Sequence, residues 1–361
     1  NSLDNNALGI ILSYPENNLT HSISSKVLLS KKTLKSPSPQ NIHFGFIGAG
    51  NYASRVLIPS FKKSGAILNT IVSSTGISSS HHGIKNGFYS SSSDPNDIWN
   101  NDEIDSVVIA TRHNDHAYQV IESLKSSKNI FVEKPLALTL PELEKIDKAY
   151  QKISKKKAVK LMVGFNRRFA PQIIKMKNLL DNQHSPKSII ITVNAGSVPD
   201  DHWVQNLSIG GGRIIGEGCH FVDLLRYLLG SKIIGFQAQK LLNYSSDEKS
   251  DDKSTITLSF EDGSIGTIHY FANGGNIFPK ERIDVFCNNA VLQLDNFRYL
   301  KGYGWNNFKK MNLLKQDKGQ LPCVKAFIKS VKYGDKAPIS YEELLEVSRV
   351  SIQIANTLRE K

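Results

Sequence analysis

Lys134 lies in Glu133-Lys134-Pro135, directly after the short apolar run Ile130-Phe131-Val132. An ammonium at such a place can hold a hydroxyl or carbonyl by a charge-assisted hydrogen bond and pass a proton during hydride transfer. The competing reading is a solvated lysine beside a rigid proline. His220 and Asp223 stand in Gly210-Gly211-Gly212-Arg213-Ile214-Ile215-Gly216-Glu217-Gly218-Cys219-His220-Phe221-Val222-Asp223, where the glycines permit a close, irregular path before an amphipathic helix. On one helix the two would share a face, so Asp223 could orient the imidazole and leave its other nitrogen for substrate. A structural histidine is the alternative. Glu217 is a second candidate acid, although a carboxylate in a first turn also serves the helix itself. Asn166-Arg167-Arg168 could clamp a carboxylate, a phosphate or sugar hydroxyls, or form an ion pair between domains. In Asp200-Asp201-His202-Trp203, Trp203 could stack on the apolar face of a sugar while His202 bonds a hydroxyl, with core or interface burial as the other account of the tryptophan.

These groups are far apart in sequence, so they need a scaffold that gathers strand ends. Residues 42–47 read as a buried strand that breaks into Gly48-Ala49-Gly50-Asn51-Tyr52-Ala53 and opens a helix over residues 52–63. In this G-x-G-x-x-A turn, Gly48 makes the bend, Gly50 lets the backbone approach a pyrophosphate and Ala53 keeps the helix near the sheet. Phosphates would sit on the free N–H groups at the helix start. Further strands are expected at residues 67–73, 107–110 and 130–132. Residues 74–88 read as a Ser/Gly/His-rich connection, and a helix is expected from Asn114 or Asp115. Asp94-Pro95 and Thr139-Leu140-Pro141-Glu142 carry helix-start signals. The alternation predicts an α/β chain whose N-terminal part is a Rossmann, doubly wound sheet. Its strand ends would place residues 48–52, Ser73-Ser74, residues 111–114 and Glu133-Lys134 around one crevice.

Beyond residue 163 the pattern changes to strands at 188–194, 255–260, 266–271, 282–287 and 290–294. Hairpin signals stand at Glu261-Asp262-Gly263 and Asn288-Asn289. This predicts a C-terminal α+β domain with an open, mostly antiparallel sheet, helices on one face and substrate or partner on the other. A last helix is expected over 341–358. The expected division is residues 1–40 as a leader or remnant of a preceding domain with its linker, 41–163 as the dinucleotide-binding domain, 164–335 as the substrate and oligomerisation domain, and 336–361 as a helix packing near the nucleotide domain.

The 361 residues carry a formal charge of +12, but the lysines are scattered and no basic helix or zinc-finger spacing accompanies them. Nucleic acid is therefore not expected, whereas attraction of anionic cofactors or phosphorylated sugars suits such a charge. No apolar run approaches the roughly eighteen residues of a membrane span, and the first residues do not read as a signal peptide. Three cysteines, Cys219, Cys287 and Cys323, stand far apart and fit a reducing compartment, so a cytoplasmic location is expected. No metal is expected: His81-His82, His113 and His116 are suggestive by count only, and Cys219-His220 lacks further ligands at a zinc spacing.

Taken together and in this order, Gly48-x-Gly50-x-x-Ala53, Glu133-Lys134-Pro135 and the segment from Gly210 to Gly230 resemble the Gfo/Idh/MocA oxidoreductases, the glucose–fructose oxidoreductase and inositol dehydrogenase family. The resemblance covers about residues 41–361. It implies NAD or NADP, with NAD favoured, and hydride transfer to or from a sugar, cyclitol or nucleotide-sugar hydroxyl or carbonyl. It implies a homo-oligomer built through the C-terminal sheet. Lys134 would be the substrate-binding, proton-transferring lysine, and His220 the histidine beside the reacting hydroxyl. Thr111 and His116 match the family's Thr-x-x-x-x-His, with Thr111 near the cofactor, His116 supporting the loop, and Arg112 and His113 between them. Many members place an Asp four residues before the active histidine, where this chain has Gly216. Either Glu217 supplies that carboxylate, or Lys134 and His220 act without it, or the reaction is lost and a nucleotide-dependent binding or regulatory protein remains. Ser73-Ser74 lacks the acid that grips an NAD ribose, which relaxes exclusion of a 2′-phosphate. Residues 7–15 resemble the tail of a medium-chain, zinc-type dehydrogenase, which would make this chain the C-terminal half of a bidomain oxidoreductase.

Overall fold

The computed structural model describes residues 25–31, 34, 36–38, 40–241 and 251–360. The dehydrogenase-like run 7–15 lies outside them. Among the described residues, strands β1 (Lys26–Leu28), β2 (His43–Ile47), β3 (Ile67–Val72), β4 (Ser90–Ser92), β5 (Ser106–Ile109), β6 (Asn129–Val132) and β7 (Leu161–Val163) form one sheet in the order β1-β4-β3-β2-β5-β6-β7. All neighbours run parallel except β1 on β4. The strand order reverses beside β2, which is where a doubly wound sheet opens its ligand crevice.

β2 and β5 are buried along their whole lengths, as strands covered by helices on both faces must be. Phe44, Phe46, Phe61, Phe88 and Phe131 pack edge to face with centroids 5.1 to 5.4 Å apart. Such pairs contribute about 0.5–1.5 kcal/mol each beyond area burial.

Three expectations change here. The edge strand β1 comes from the segment assigned to the leader: Leu29 donates its N–H to the Tyr89 carbonyl (2.9 Å), and Ser25 Oγ bonds Asp97 (2.9 Å). Pairing of that backbone with β4 makes it part of the nucleotide-domain sheet. Residues 74–88 contain a helix, Ile77–Asn86, and lead into β4, a strand of three serines. Sheet burial of serine is possible because the hydroxyls find partners, Ser90 Oγ on Thr70 Oγ1 (2.9 Å) and Ser92 Oγ on Asp97 (2.5 Å). Finally, the helix Gln320–Tyr333, expected within the substrate domain, places Phe327 against Phe44 and Phe131 of the first sheet, with centroids 6.5 and 5.6 Å apart.

The second sheet contains β8 (Ser188–Asn194), β9 (Ile233–Lys240), β10 (Lys253–Phe260), β11 (Ile265–Phe271), β12 (Glu281–Cys287), β13 (Ala290–Asp295), β14 (Tyr299–Tyr303) and β15 (Lys310–Asn312). Their order is β15-β14-β13-β12-β8-β11-β10-β9, antiparallel throughout except β11 on β8. Alternating burial along β12 and β13 shows one covered face and one open face. The helix Cys219–Leu229 lies on the covered face, where Gly266 leaves room for Leu225: a Cβ at 266 would fall 2.7 Å from Leu225 Cδ1. The final helix, Tyr341–Glu360, bridges the two units. Tyr341 stacks on Tyr150 at 3.6 Å and donates to Asp147 (3.1 Å) on the nucleotide side. Arg226 and the Ile233 N–H hold Glu346 on the other. Among the described residues no helix is long and apolar enough to cross a membrane.

Candidate active site

The ends of β2, β3 and β5 open on one cleft of about 1070 Å³, lined by Gly48, Gly50, Asn51, Tyr52, Ala53, Ser73, Ser74, Thr111 and Arg112 of the expected set. Ser78, Ser93, Asp115 and Gln119 also line it, and sequence reading had not singled them out. Gly48 has φ +108°, and a Cβ there would meet the Ala110 carbonyl oxygen just after β5, so the turn that leaves β2 admits glycine alone. Gly50 faces open space, with nothing within 4 Å of the Cβ it lacks. The following helix begins with a wide π turn, Ala53–Leu57, before Ile58–Lys63, a departure from the uninterrupted helix expected. Ser54 donates its N–H to the Gly50 carbonyl (2.9 Å), which leaves the preceding N–H groups at the helix start for an anion. A dinucleotide fits these residues: glycine where backbone approach is needed, a bare helix start and a cleft of sufficient volume.

A second cavity of about 480 Å³ adjoins the cleft through the shared residues His202 and Trp203. Lys134, His220, Glu217, Arg167, Arg213, His113 and Gly216 line it. Lys134 arrives from the end of β6, and its Nζ donates to the Gly216 carbonyl (2.7 Å). Gly216 and Glu217 lie in a second π turn, Ile214–Gly218, which leads into the helix carrying His220. Asp251 holds the start of that turn, accepting from the Arg213 N–H (2.9 Å) and from Arg359 (2.6 Å). Glu133 is buried behind Lys134, and burial pushes its carboxyl up to about 7. Gly164 makes the room, because a Cβ there would fall 2.7 Å from Glu133 Oε1.

Several side chains expected at substrate or cofactor do other work. Asp223 does not orient His220: its carboxylate takes the Arg168 guanidinium at 3.0 and 2.5 Å, and His220 Nδ1 is buried with no partner among the described residues. Asn166 donates to the Lys318 carbonyl (2.6 Å) and lines neither cavity. Arg167 forms a bidentate pair with Glu281, both bonds 2.8 Å, while still fronting the smaller cavity. Glu217 does not take the part of an Asp at 216. Its oxygens are held by Lys280 (2.8 Å), Arg213 (3.0 Å) and the Tyr270 hydroxyl (2.7 Å), and Lys280 heads the attractions that hold it well below the usual carboxylate range against the cost of burial. His113 and His116 support the loop after β5. His113 Nδ1 bonds the Gly210 carbonyl (2.7 Å) and its ring meets Trp203 edge-on at 4.8 Å. His116 Nδ1 bonds the Pro135 carbonyl (2.7 Å), tying this loop to the one that carries Lys134.

Burial holds all three of these imidazoles neutral: His113 is lowered to about 3, His116 to about 4, and His220 well below its ordinary value. The unfolded chain protonates its histidines near 6.5 and the folded one does not, so below that pH the unfolded state binds more protons and stability falls. The expected loss between pH 6.5 and 4 is about 1.4 kcal/mol per pH unit for each histidine. Urea titrations at pH 7, 6 and 5 check the net fall, in which three histidines outweigh the opposite contribution of the raised Glu133 and Asp223 carboxyls; a flat profile would mean that the rings accept protons in place.

Residues 42–165 match the model of the oxidoreductase family with NAD-binding Rossmann fold, and residues 175–293 match the Gfo/Idh/MocA C-terminal domain. The chain belongs to the Gfo/Idh/MocA oxidoreductase family. An oxidoreductase of Bacillus subtilis, YrbE, is 31% identical over 211 residues, 57% of this chain and 60% of its own length. Myo-inositol 2-dehydrogenase of Thermotoga maritima is 25% identical over 260 residues, 69% of this chain and 76% of that protein. In three dimensions, levoglucosan dehydrogenase in complex with NADH and L-sorbose superimposes with a TM-score of 0.78 at 19% identity, covering 89% of this chain and 97% of that one. A Gfo/Idh/MocA chain of this kind carries an NAD(P)-binding Rossmann unit and a mostly antiparallel second sheet, as the two sheets described above do.

Proposed function

We propose that this protein transfers a hydride between a nicotinamide dinucleotide and a hydroxyl or carbonyl of a sugar or cyclitol. The observation that carries the reading is the adjacency of two cavities, the glycine-turn cleft and the pocket of Lys134 and His220, across His202 and Trp203. The dinucleotide supplies or accepts the hydride. Lys134 holds the reacting oxygen and moves its proton, because among the described residues its ammonium is hydrogen-bonded by the Gly216 carbonyl alone and is free to exchange that partner for substrate. His220 is neutral and serves as a hydrogen-bond partner of the same oxygen rather than as the proton store. Trp203 and His202 face the sugar ring. Spectrophotometric hydride exchange with a panel of cyclitols and sugars tests the reaction. Tight dinucleotide binding without exchange on any member would favour the binding or regulatory reading that Gly216 raises.

Ser73, Ser74, Ser78 and Ser93 line the end of the cleft beyond β3, where an NAD-selective chain places an acid. NAD remains the favoured cofactor, with NADP accepted at less than about tenfold discrimination. Ser74→Asp is expected to raise the preference for NAD by about tenfold or more through repulsion of the 2′-phosphate. Unchanged Kd ratios in the variant would place the ribose elsewhere. The open face of the second sheet exposes Ile265, Phe271, Phe286, Tyr299 and Tyr303, and a second copy of this chain is its proposed cover. Sedimentation across concentrations checks that assembly.

A further inference from the structure

The smaller cavity is lined by more positive than negative charge. Lys134, Arg167 and Arg213 line it against the single carboxylate of Glu217. Behind the wall, Glu281 is shared by Arg167 (2.8 Å) and Lys318 (2.6 Å), while Glu217 is shared by Arg213 (3.0 Å) and Lys280 (2.8 Å). Four cations therefore share two carboxylates, and Lys134, with Glu133 buried behind it, adds a fifth, so positive charge outweighs negative around the pocket even with Glu133 counted. Arg167 commits Nε and Nη2 to Glu281, and its Nη1 has no hydrogen-bond partner among the described residues. The neutral histidines His113 and His220 add nothing to this charge, and Gly216, whose carbonyl takes the Lys134 ammonium, brings no carboxylate to the pocket.

Arg167 and Arg213 are buried, and buried cations beside further positive charge are costly unless an anion joins them. A neutral polyol satisfies hydrogen bonds but leaves the excess charge in place. We propose that the substrate is an anionic sugar, with a carboxylate or phosphate seated toward Arg167 and Arg213 while its reacting carbon lies at Lys134 and His220. This rests on the reading of the cavity as the sugar site. The planar guanidinium edge of Arg167 favours a carboxylate by geometry, and a phosphate uses the same donors.

Calorimetric titration of the NADH-loaded protein with D-glucuronate, D-galacturonate and D-glucose 6-phosphate, each beside D-glucose or D-galactose, tests the proposal. The expected result is binding of one anionic class at least about tenfold tighter than its neutral twin, with an advantage that shrinks at high salt. Lys280→Gln, at a half-exposed position, removes one positive charge and leaves Glu217 Oε1 without its lysine while Arg213 and Tyr270 keep the other oxygen, and is expected to cut that advantage severalfold. The uronate and phosphate arms separate the two sources of charge. If no anionic sugar binds more tightly than its neutral twin, or if Lys280→Gln leaves the preference intact, the proposal is overturned. Hydride exchange is scored separately. Anion-selective binding without exchange would sink the proposed reaction and leave this inference standing, whereas better kcat/KM with neutral sugars would do the reverse.

Discussion

Lys134→Ala is expected to lower turnover by about 10²- to 10⁴-fold while leaving the dinucleotide Kd nearly unchanged. The two effects separate because Lys134 lines the smaller cavity and does not line the glycine-turn cleft. Its removal leaves the Gly216 carbonyl without the ammonium and leaves the reacting oxygen without a proton carrier. His220 cannot take over, since burial and the surrounding cations keep it unprotonated. Lys134→Arg should be nearly as impaired, because a guanidinium keeps the charge but does not release a proton near neutral pH. Partial rescue of Lys134→Ala by added small amines would separate a proton-transfer role from a structural one. Full turnover in Lys134→Ala would remove the residue from the chemistry.

Lys134 was legible because local and global rules coincide there: a short buried strand ends, and parallel sheets bind ligands at such ends. The glycine turn was legible for the same reason, since its residue types answer to backbone geometry that must be met locally. Asp223 and Asn166 were read less well. Their positions on helix and junction were right, but partner choice is a long-range matter: Arg168 lies 55 positions from Asp223 and outcompetes the neighbouring imidazole. Arg213 stood in the quoted glycine segment, four residues before Glu217, a helical spacing that could have exposed the pair. Tyr270 and Lys280 carry no such signal, because only the folding of the second sheet brings them to Glu217. Likewise, β4 is three serines, and its hydroxyl partners are supplied by other segments.

Glu281→Ala is expected to destabilise the protein by about 3–5 kcal/mol, the loss that follows when one partner of a buried pair is removed. Glu281 is almost completely enclosed and neutralises Arg167 and Lys318 together, so the variant strands two cations. Arg167 and Lys318 hold its carboxyl down to about 2 despite burial. An unfolded Glu titrates near 4.5, so this stabilisation is complete above that pH and is lost as pH falls toward 2. The urea midpoints of wild type and variant should therefore be furthest apart at pH 7 and converge in acid. Pairing Glu281→Leu with Arg167→Met removes both buried charges at once, and Lys318, with 16% of its side chain exposed, retains a route to water. That double variant should recover most of the stability but not the preference for an anionic sugar, because the free Arg167 edge is gone. Recovery of both would place the anion at Arg213 alone; recovery of neither would mean that the bidentate pair sets the packing of the junction rather than its charge.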